Sequence, residues 1–305
     1  MAKPLEAIAR LCGSPAEAVR WSCVLEATAP KAGNVHPGQS FADLHYKHFV
    51  DAAEIASDAF SQIEFSTCHR AHQAASRTFA QTNTNVNLGI LLLLAPLVAA
   101  DESTLVAADE SSRIQTLNDW SDAVATCLGS LTRADSESLF DAIRVSAAGG
   151  LGQVEEMDVN EKANAPRDVV SAMRMAKDRD RIARQYADSF QDLITCVVPT
   201  VQRCIDDAGD LLLGVTHAQI ALLAEEPDTL IVRKCGQAKA KMVQQRAASV
   251  NIADAGSLQA FDSLLRSEGQ SLNPGTTADL IAAALYILLR TPNEPKPQLT
   301  EELTL

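Results

Sequence analysis

No stretch of this chain alternates apolar and polar residues with a period of two between turn signals. Instead, blocks rich in Ala and Leu recur from residue 14 to residue 290, with apolar positions three and four residues apart. That periodicity marks helices packed on helices. The first block carries a complete start signal. Ser14 can cap the helix, Pro15 suits its first turn, and Glu17 closes a capping box. Pro30 ends that helix near Ala29. Further helices are expected at 43–65, 67–81, 88–100, 116–131, 135–148, 166–206, 210–225, 229–249, 256–268 and 277–290. The expected architecture is all-α: one multi-helix domain over 1–290, its site formed by loops at helix ends, then a flexible tail over 291–305.

Composition narrows the function. Aromatic residues make up 4% of the 305 residues and hydrophobic ones 47%, so Ala and Leu carry the core. A net charge of −13 argues against nucleic acid as a partner. The seven cysteines are scattered with no Cys-x-x-Cys pair, which reads as free thiols in a reducing compartment. The N-terminus lacks the apolar core of a signal peptide. The most apolar run, LGILLLLAPLVAA (88–100), is shorter than the roughly 20 residues of a membrane span and reads as a buried core helix. A cytoplasmic protein without a membrane partner is expected. A homodimer is an assembly the sequence leaves open.

Polar residues concentrate where helices break. PKAGNVHPGQSFADLH (30–45) holds Lys31, Asn34, His36 and Asp43, with Glu26 one turn before the helix end. NTNVNLG (83–89) holds Asn83, Asn85 and Asn87; an extended segment would point all three to one side. GGLGQVEEMDVNEKANAPRD (149–168) is glycine-rich, then acidic. LNPGTTADL (272–280) makes a turn at Pro274-Gly275, and Thr276-x-x-Asp279 reads as a helix start, which leaves open that Asp279 is only a capping-box partner. Asn at a helix start is ordinarily a cap. His45/His48 and His69/His72 sit at helical spacing, without an evident third metal ligand. From Thr229 to Ala253 there is no acidic residue, and the window holds Arg233, Lys234, Lys239, Lys241 and Arg246, with Lys234 and Lys241 on one helical face. In so acidic a chain that window is a candidate for binding phosphate. Arg174, Lys177, Arg179, Arg181 and Arg184, mixed with acids, read as a solvated, self-paired face.

LEATAPKAGNVHPGQSFADL, TNTNVNLGILLLLAPL, DRDRIARQYADSF, PDTLIVRKCG and LNPGTTADLIAAALYILL, in this order, resemble the triphosphoribosyl-dephospho-CoA synthase family. The resemblance implies an all-α enzyme that transfers the triphosphoribosyl group of ATP to the 2′-hydroxyl of 3′-dephospho-CoA and releases adenine. One departure stands out. Citrate-lyase members tend to carry an NTHKG-like second loop, whereas NTNVNLG looks like a divergent branch. That branch implies, as an alternative, an α-ribosyl transfer from ATP or phosphoribosyl diphosphate in the biosynthesis of a tetrahydromethanopterin-type C1 carrier. A non-catalytic helical nucleotide-binding protein and a hydrolase using water as acceptor are further readings.

Displacing a base from an anomeric carbon needs a carboxylate for the attacking hydroxyl, cations and N–H groups for the phosphates, and help for the leaving group. The resemblance places Asp279 first as general base, with Asp43 and Glu26 as the other carboxylates. A helix N-terminus should keep Asp279 ionised. Lys31 would meet a phosphate. Asn34, His36, Asn83, Asn85 and Asn87 would contact ribose or base. Arg233 and Lys234 would hold the polyphosphate, and Asn273, Gly275, Thr276 and Thr277 would line the fourth loop. Asp228 would help to place Mg2+. The partners expected are a nucleotide or ribosyl polyphosphate donor and a hydroxyl acceptor.

Overall fold

The computed structural model describes residues 4–105, 114–147 and 168–292. Its helices are α1 (Glu6–Ala9), α2 (Pro15–Thr28), α3 (Tyr46–Phe60), α4 (Thr67–Thr82), α5 (Leu88–Leu105), α6 (Leu117–Ser130), α7 (Arg133–Ala147), α8 (Val169–Ala176), α9 (Arg181–Ala187), α10 (Val198–Ala208), α11 (Leu211–Glu225), α12 (Thr229–Cys235), α13 (Gln237–Ala247), α14 (Ala255–Arg266) and α15 (Gly275–Arg290). A π-helical turn, Leu193–Val197, leads directly into α10. Among the described residues there is no strand, only an isolated bridge between His36 and Gln39. The chain forms a single all-α domain.

Many acidic residues serve as helix starts. Ser14 and Glu17 form the expected capping box. Asp168, Asp180, Asp210, Asp228 and Asp254 each cap a helix with a side-chain oxygen, which satisfies free N–H groups and suits the positive helix end. α15 is apolar on all sides, and nearly every residue from Thr276 to Leu289 is buried. It therefore runs through the centre, packed against α2, α5, α10 and α11. α5 is longer than the apolar run suggested. At 18 residues it has the length of a membrane span, yet 61% of it is buried in the bundle.

The core has two clusters. The larger joins α2–α7, α10 and α15; the smaller lies under α11–α14 and includes Ala32 and Leu272. Ala29 and Leu280 belong to the larger cluster. The first and fourth polar loops thus run along the seam between the two.

Several boundaries differ from expectation. The helix expected at 43–65 is α3, preceded by three more loop residues and ended at Phe60. The helix expected over 166–206 is broken, because Asp180 caps a new start and Ser189 and Phe190 take positive φ. Gly236, at φ 83°, divides the one expected at 229–249, so Lys234 and Lys241 do not share one continuous face. Within the third loop only Asp168 is described, and of the tail only residues 291–292.

Candidate active site

Asp279 lies one full turn inside α15. The cap position is Pro274, which makes no side-chain capping bond. Asp279 is therefore not a capping-box partner, and the Thr276-x-x-Asp279 start is corrected. Its carboxyl receives no hydrogen bond among the described residues, although a little of its surface stays open to solvent. The second polar loop reaches it through Gly89. A Cβ there would lie 2.1 Å from Asp279 Oδ2 and 2.7 Å from Ile182 Cδ1. Only a residue without a side chain lets the start of α5 come so close. Burial, reinforced by Glu26, Asp228 and Asp180 and only partly offset by Arg233, pushes the Asp279 carboxyl well above the usual carboxylate range. The helix N-terminus does not offset this rise: loss of water and three nearby carboxylates outweigh it.

Glu26 and Lys31 form the wall behind Asp279. Lys31 Nζ lies 2.8 Å from Glu26 Oε1 and also donates to the Glu26 carbonyl. Lys31 is 0% exposed, so it does not meet a phosphate in this structure; its charge serves Glu26. Cys23 lies in the same wall, where burial and then Glu26 push its thiol up to about 12, far from nucleophilic. Lys31→Met should cost about 3–5 kcal/mol in urea unfolding, because it strands a buried carboxylate. Lys31→Met with Glu26→Gln should recover most of that loss. A single variant as stable as wild type would sink the assignment.

Asp228 joins two helices. Its Oδ1 caps α12 by accepting from Leu230 and Ile231 N–H at 2.9 and 3.2 Å. Its Oδ2 accepts from the N–H and the hydroxyl of Thr277, both at 2.7 Å. Burial raises its pKa, and these bonds work against the rise. With both oxygens engaged twice, Asp228 is a clamp, and it could not place Mg2+ without releasing those bonds. Beside it, Thr229 Oγ1 donates to Thr276 Oγ1 at 3.1 Å and accepts from Arg181 N–H at 3.2 Å. The starts of α9, α12 and α15 are thereby stitched together. Arg181 is buried and gripped by Asp192 at 2.9 and 3.0 Å, so it is no part of a solvated face. Asp180 uses Oδ1 to cap α9, and its Oδ2 meets only Arg233 at 3.5 Å. No cluster of three or more metal-ligating side chains occurs among the described residues. Among the described residues, Asp279 accepts no hydrogen bond and Asp180 Oδ2 has only the long contact to Arg233. One or two carboxylates plus substrate phosphates is how Mg2+ is ordinarily held, so the donor set fits that ion.

The first and fourth loops interlock. Asn34 Nδ2 donates to Asn273 Oδ1 at 2.7 Å, and Gln219 Nε2 donates to Asn34 Oδ1 at 2.6 Å. Gly33, at φ 72°, donates its N–H to Asp262 at 2.8 Å, and a Cβ there would strike Leu265. Arg266 binds Asp262, donates to the Asn34 carbonyl and lies over Phe41. Asp43 is exposed and accepts from Gln270 at 2.5 Å. It stands on the rim, tied to the fourth loop. His36 accepts from Gly38 N–H at 3.2 Å; burial, with Arg266 next, holds its pKa below the ordinary value. Lys234 reaches the Gln270 carbonyl at 3.3 Å, and burial of its amine end and nearby Arg233 lower its pKa. Gly275 packs against Leu230, where a Cβ would lie at 2.5 Å.

The second loop is not extended. Asn83 and Asn87 take left-handed φ of 51° and 68°; Asn83 is exposed while Asn87 is buried, so the three asparagines do not share one side. Asn tolerates that conformation better than most residues. Sequence reasoning missed Gly89, Asp180 and Gln219. Gly89 stood in a quoted motif, and Asp180 had the cap signal of an Asp before a helix. Gln219, inside an apolar helix, showed no signal beyond being polar there.

Over residues 12–297 the chain matches the family described as CitG, ATP:dephospho-CoA triphosphoribosyl transferase. A crystal structure from Archaeoglobus fulgidus, of a protein provisionally described as a triphosphoribosyl-dephospho-CoA synthase, shares the fold. The two agree with a TM-score of 0.61 at 22% identity, over 79% of this chain and 98% of that one. No curated protein matches the chain.

Proposed function

Because the chain belongs to the ATP:dephospho-CoA triphosphoribosyl transferase family, and so to the transferases, we propose that it moves the triphosphoribosyl group of ATP to the 2′-hydroxyl of 3′-dephospho-CoA. The observation that carries this reading is Asp279: a carboxyl without a hydrogen bond, its pKa raised, at the meeting of α5, α9, α12 and α15. A base is most effective when its pKa lies near the working pH.

In this reading the bond from the ribosyl anomeric carbon to adenine breaks, and adenine leaves with the electron pair and takes up a proton from water to become neutral. The bond to the acceptor oxygen forms, and the hydroxyl proton passes to Asp279. Buried negative groups around Asp279 favour the cationic sugar that develops between the two events. Arg233 and Lys234 hold the polyphosphate. Asp180 would hold Mg2+, which supplies charge neutralisation for the phosphates.

Adenine release, with ATP or phosphoribosyl diphosphate as donor and dephospho-CoA or pterin-linked alcohols as acceptors, tests the reading. The NTNVNLG loop favours the pterin arm as the second reading, with the same bond changes on a different acceptor. No product in any arm would overturn both. For the base role, kcat/KM should rise with pH along a limb lying above the ordinary carboxylate pKa of about 3.9, since only the ionised form takes the proton. An activity that instead falls as pH rises through that region would make Asp279 the acid that protonates adenine.

A further inference from the structure

A chain of side-chain amides runs from the core to the candidate active site. Gln219, 0% exposed on α11, donates Nε2 to the backbone carbonyl of Ala32 at 2.9 Å and to Asn34 Oδ1 at 2.6 Å. Asn34 Nδ2 donates to Asn273 Oδ1 at 2.7 Å. A backbone carbonyl can only accept, so the bond to Ala32 fixes which end of the Gln219 amide is NH2. That nitrogen also meets Asn34, which makes the Asn34 oxygen the acceptor and its nitrogen the donor. The same logic repeats at Asn273. One peptide group thus dictates the sense of three side chains.

The far end of the chain is the Asn273 NH2. It has no protein acceptor among the described residues, and Asn273 is partly exposed just before α15. The near end carries a cost: Gln219 Oε1 is buried without a partner. An orphaned buried oxygen calls for a reason. Here the reason is that the orientation serves the other end.

We propose that Gln219 is a positioning residue that holds Asn34 and Asn273 with their donors toward the site, so that the ligand atom seated on Asn273 is a hydrogen-bond acceptor. A phosphate or ribose oxygen, or an unprotonated ring nitrogen, meets that condition. A group that only donates is turned away. The inference borrows from the function argued above only the ligands used to test it.

Ionised Gln219→Glu cannot donate to Ala32 or Asn34. Asn34 would turn to donate to it, Asn273 would follow, and a carbonyl oxygen would face the ligand. Gln219→Met keeps the volume but leaves the sense of the chain free. Calorimetry with MgATP, inorganic triphosphate, adenosine and dephospho-CoA compares these variants, alone and combined with Asn273→Ala. Gln219→Glu should weaken at least one ligand about tenfold, the size of one good hydrogen bond, and Gln219→Met should weaken it less. Which of triphosphate and adenosine shares the loss identifies the acceptor atom. Neither change should matter further once Asn273 is Ala, since a positioning effect needs the group it positions. Losses that persist undiminished in the Asn273→Ala background would mean a structural role and overturn the proposal. If Gln219→Glu does not fold, the Gln219→Met cycle decides. If no ligand binds wild type, the proposed function fails, and hydrogen exchange of the Asn273 side-chain NH2 still decides polarity. Exchange should be fast in wild type and slower in Gln219→Glu, and equal rates would overturn the proposal.

Discussion

Asp279→Asn is expected to slow transfer at least ~10²-fold, the usual lower bound for losing a general base, and at the same time to raise thermal stability at neutral pH. The two effects share one cause. The folded protein holds the Asp279 carboxyl well above its ordinary pKa, so the unfolded chain gives up that proton at lower pH. Stability from this group is full below the unfolded value. It falls as pH rises through the window between the two values, and stays low above the folded one. Asparagine removes the penalty and keeps the shape. The rise should vanish when both proteins are melted at about pH 3 or below, well under the ordinary value of about 3.9, where the carboxyl is mostly neutral in either state. A variant with wild-type turnover would return the search for the base to Asp43 or Glu26. A neutral-pH melting temperature below that of wild type would show that the carboxylate is stabilised by contacts other than those described.

Gly89→Ala tests the same group from the other side. By helix propensity alone the change should help, by roughly 0.8–1 kcal/mol. Yet the new methyl would need the space of Asp279 Oδ2, 2.1 Å away, and of Ile182 Cδ1. Asp279 must turn or α5 must shift. Overpacking of this kind costs about 1–3 kcal/mol, so stability should fall modestly. Turnover should fall ~10²-fold, because misplacing a reacting group by an ångström is enough for that. KM for ATP should change far less than kcat. Equal damage to both would show that the glycine serves the fold alone, and normal turnover would remove the contact from the mechanism.

Much of the fold was legible because helix signals are local. Ser14-Pro15 with Glu17 marked a start that the structure keeps, and the run at 88–100 was a core helix. The breaks were harder. Asp180 and Gly236 interrupt helices whose apolar pattern runs straight through them, and only backbone geometry reveals it. For the candidate site, the sequence picked out loops that do converge, but it could not tell which charges face one another. Lys31 looked like a phosphate ligand because it is a lysine in a polar loop. Its burial beside Glu26 depends on how α2 and the loop after it fold back together. Asp228 read as a metal ligand, and Thr277, 49 residues away, turned it into a clamp. The asparagines of NTNVNLG were judged by an extended period that two left-handed residues abolish.

The reach of these links has a consequence for how the protein matures. Asn34 meets Asn273 across 239 residues, and Asp228 meets Thr277 across 49. Closing contacts between such distant positions is the slow part of folding, because chain entropy opposes it until most of the molecule is in place. The carboxyl of Asp279 acquires its unusual environment only when α15 packs among helices that all precede it in the chain. Chemistry and long-range closure of the chain are therefore coupled. A nicked molecule can hold most of its helices and still have no site, so turnover counts only molecules in which the segments around Asn34 and Asn273 have found each other.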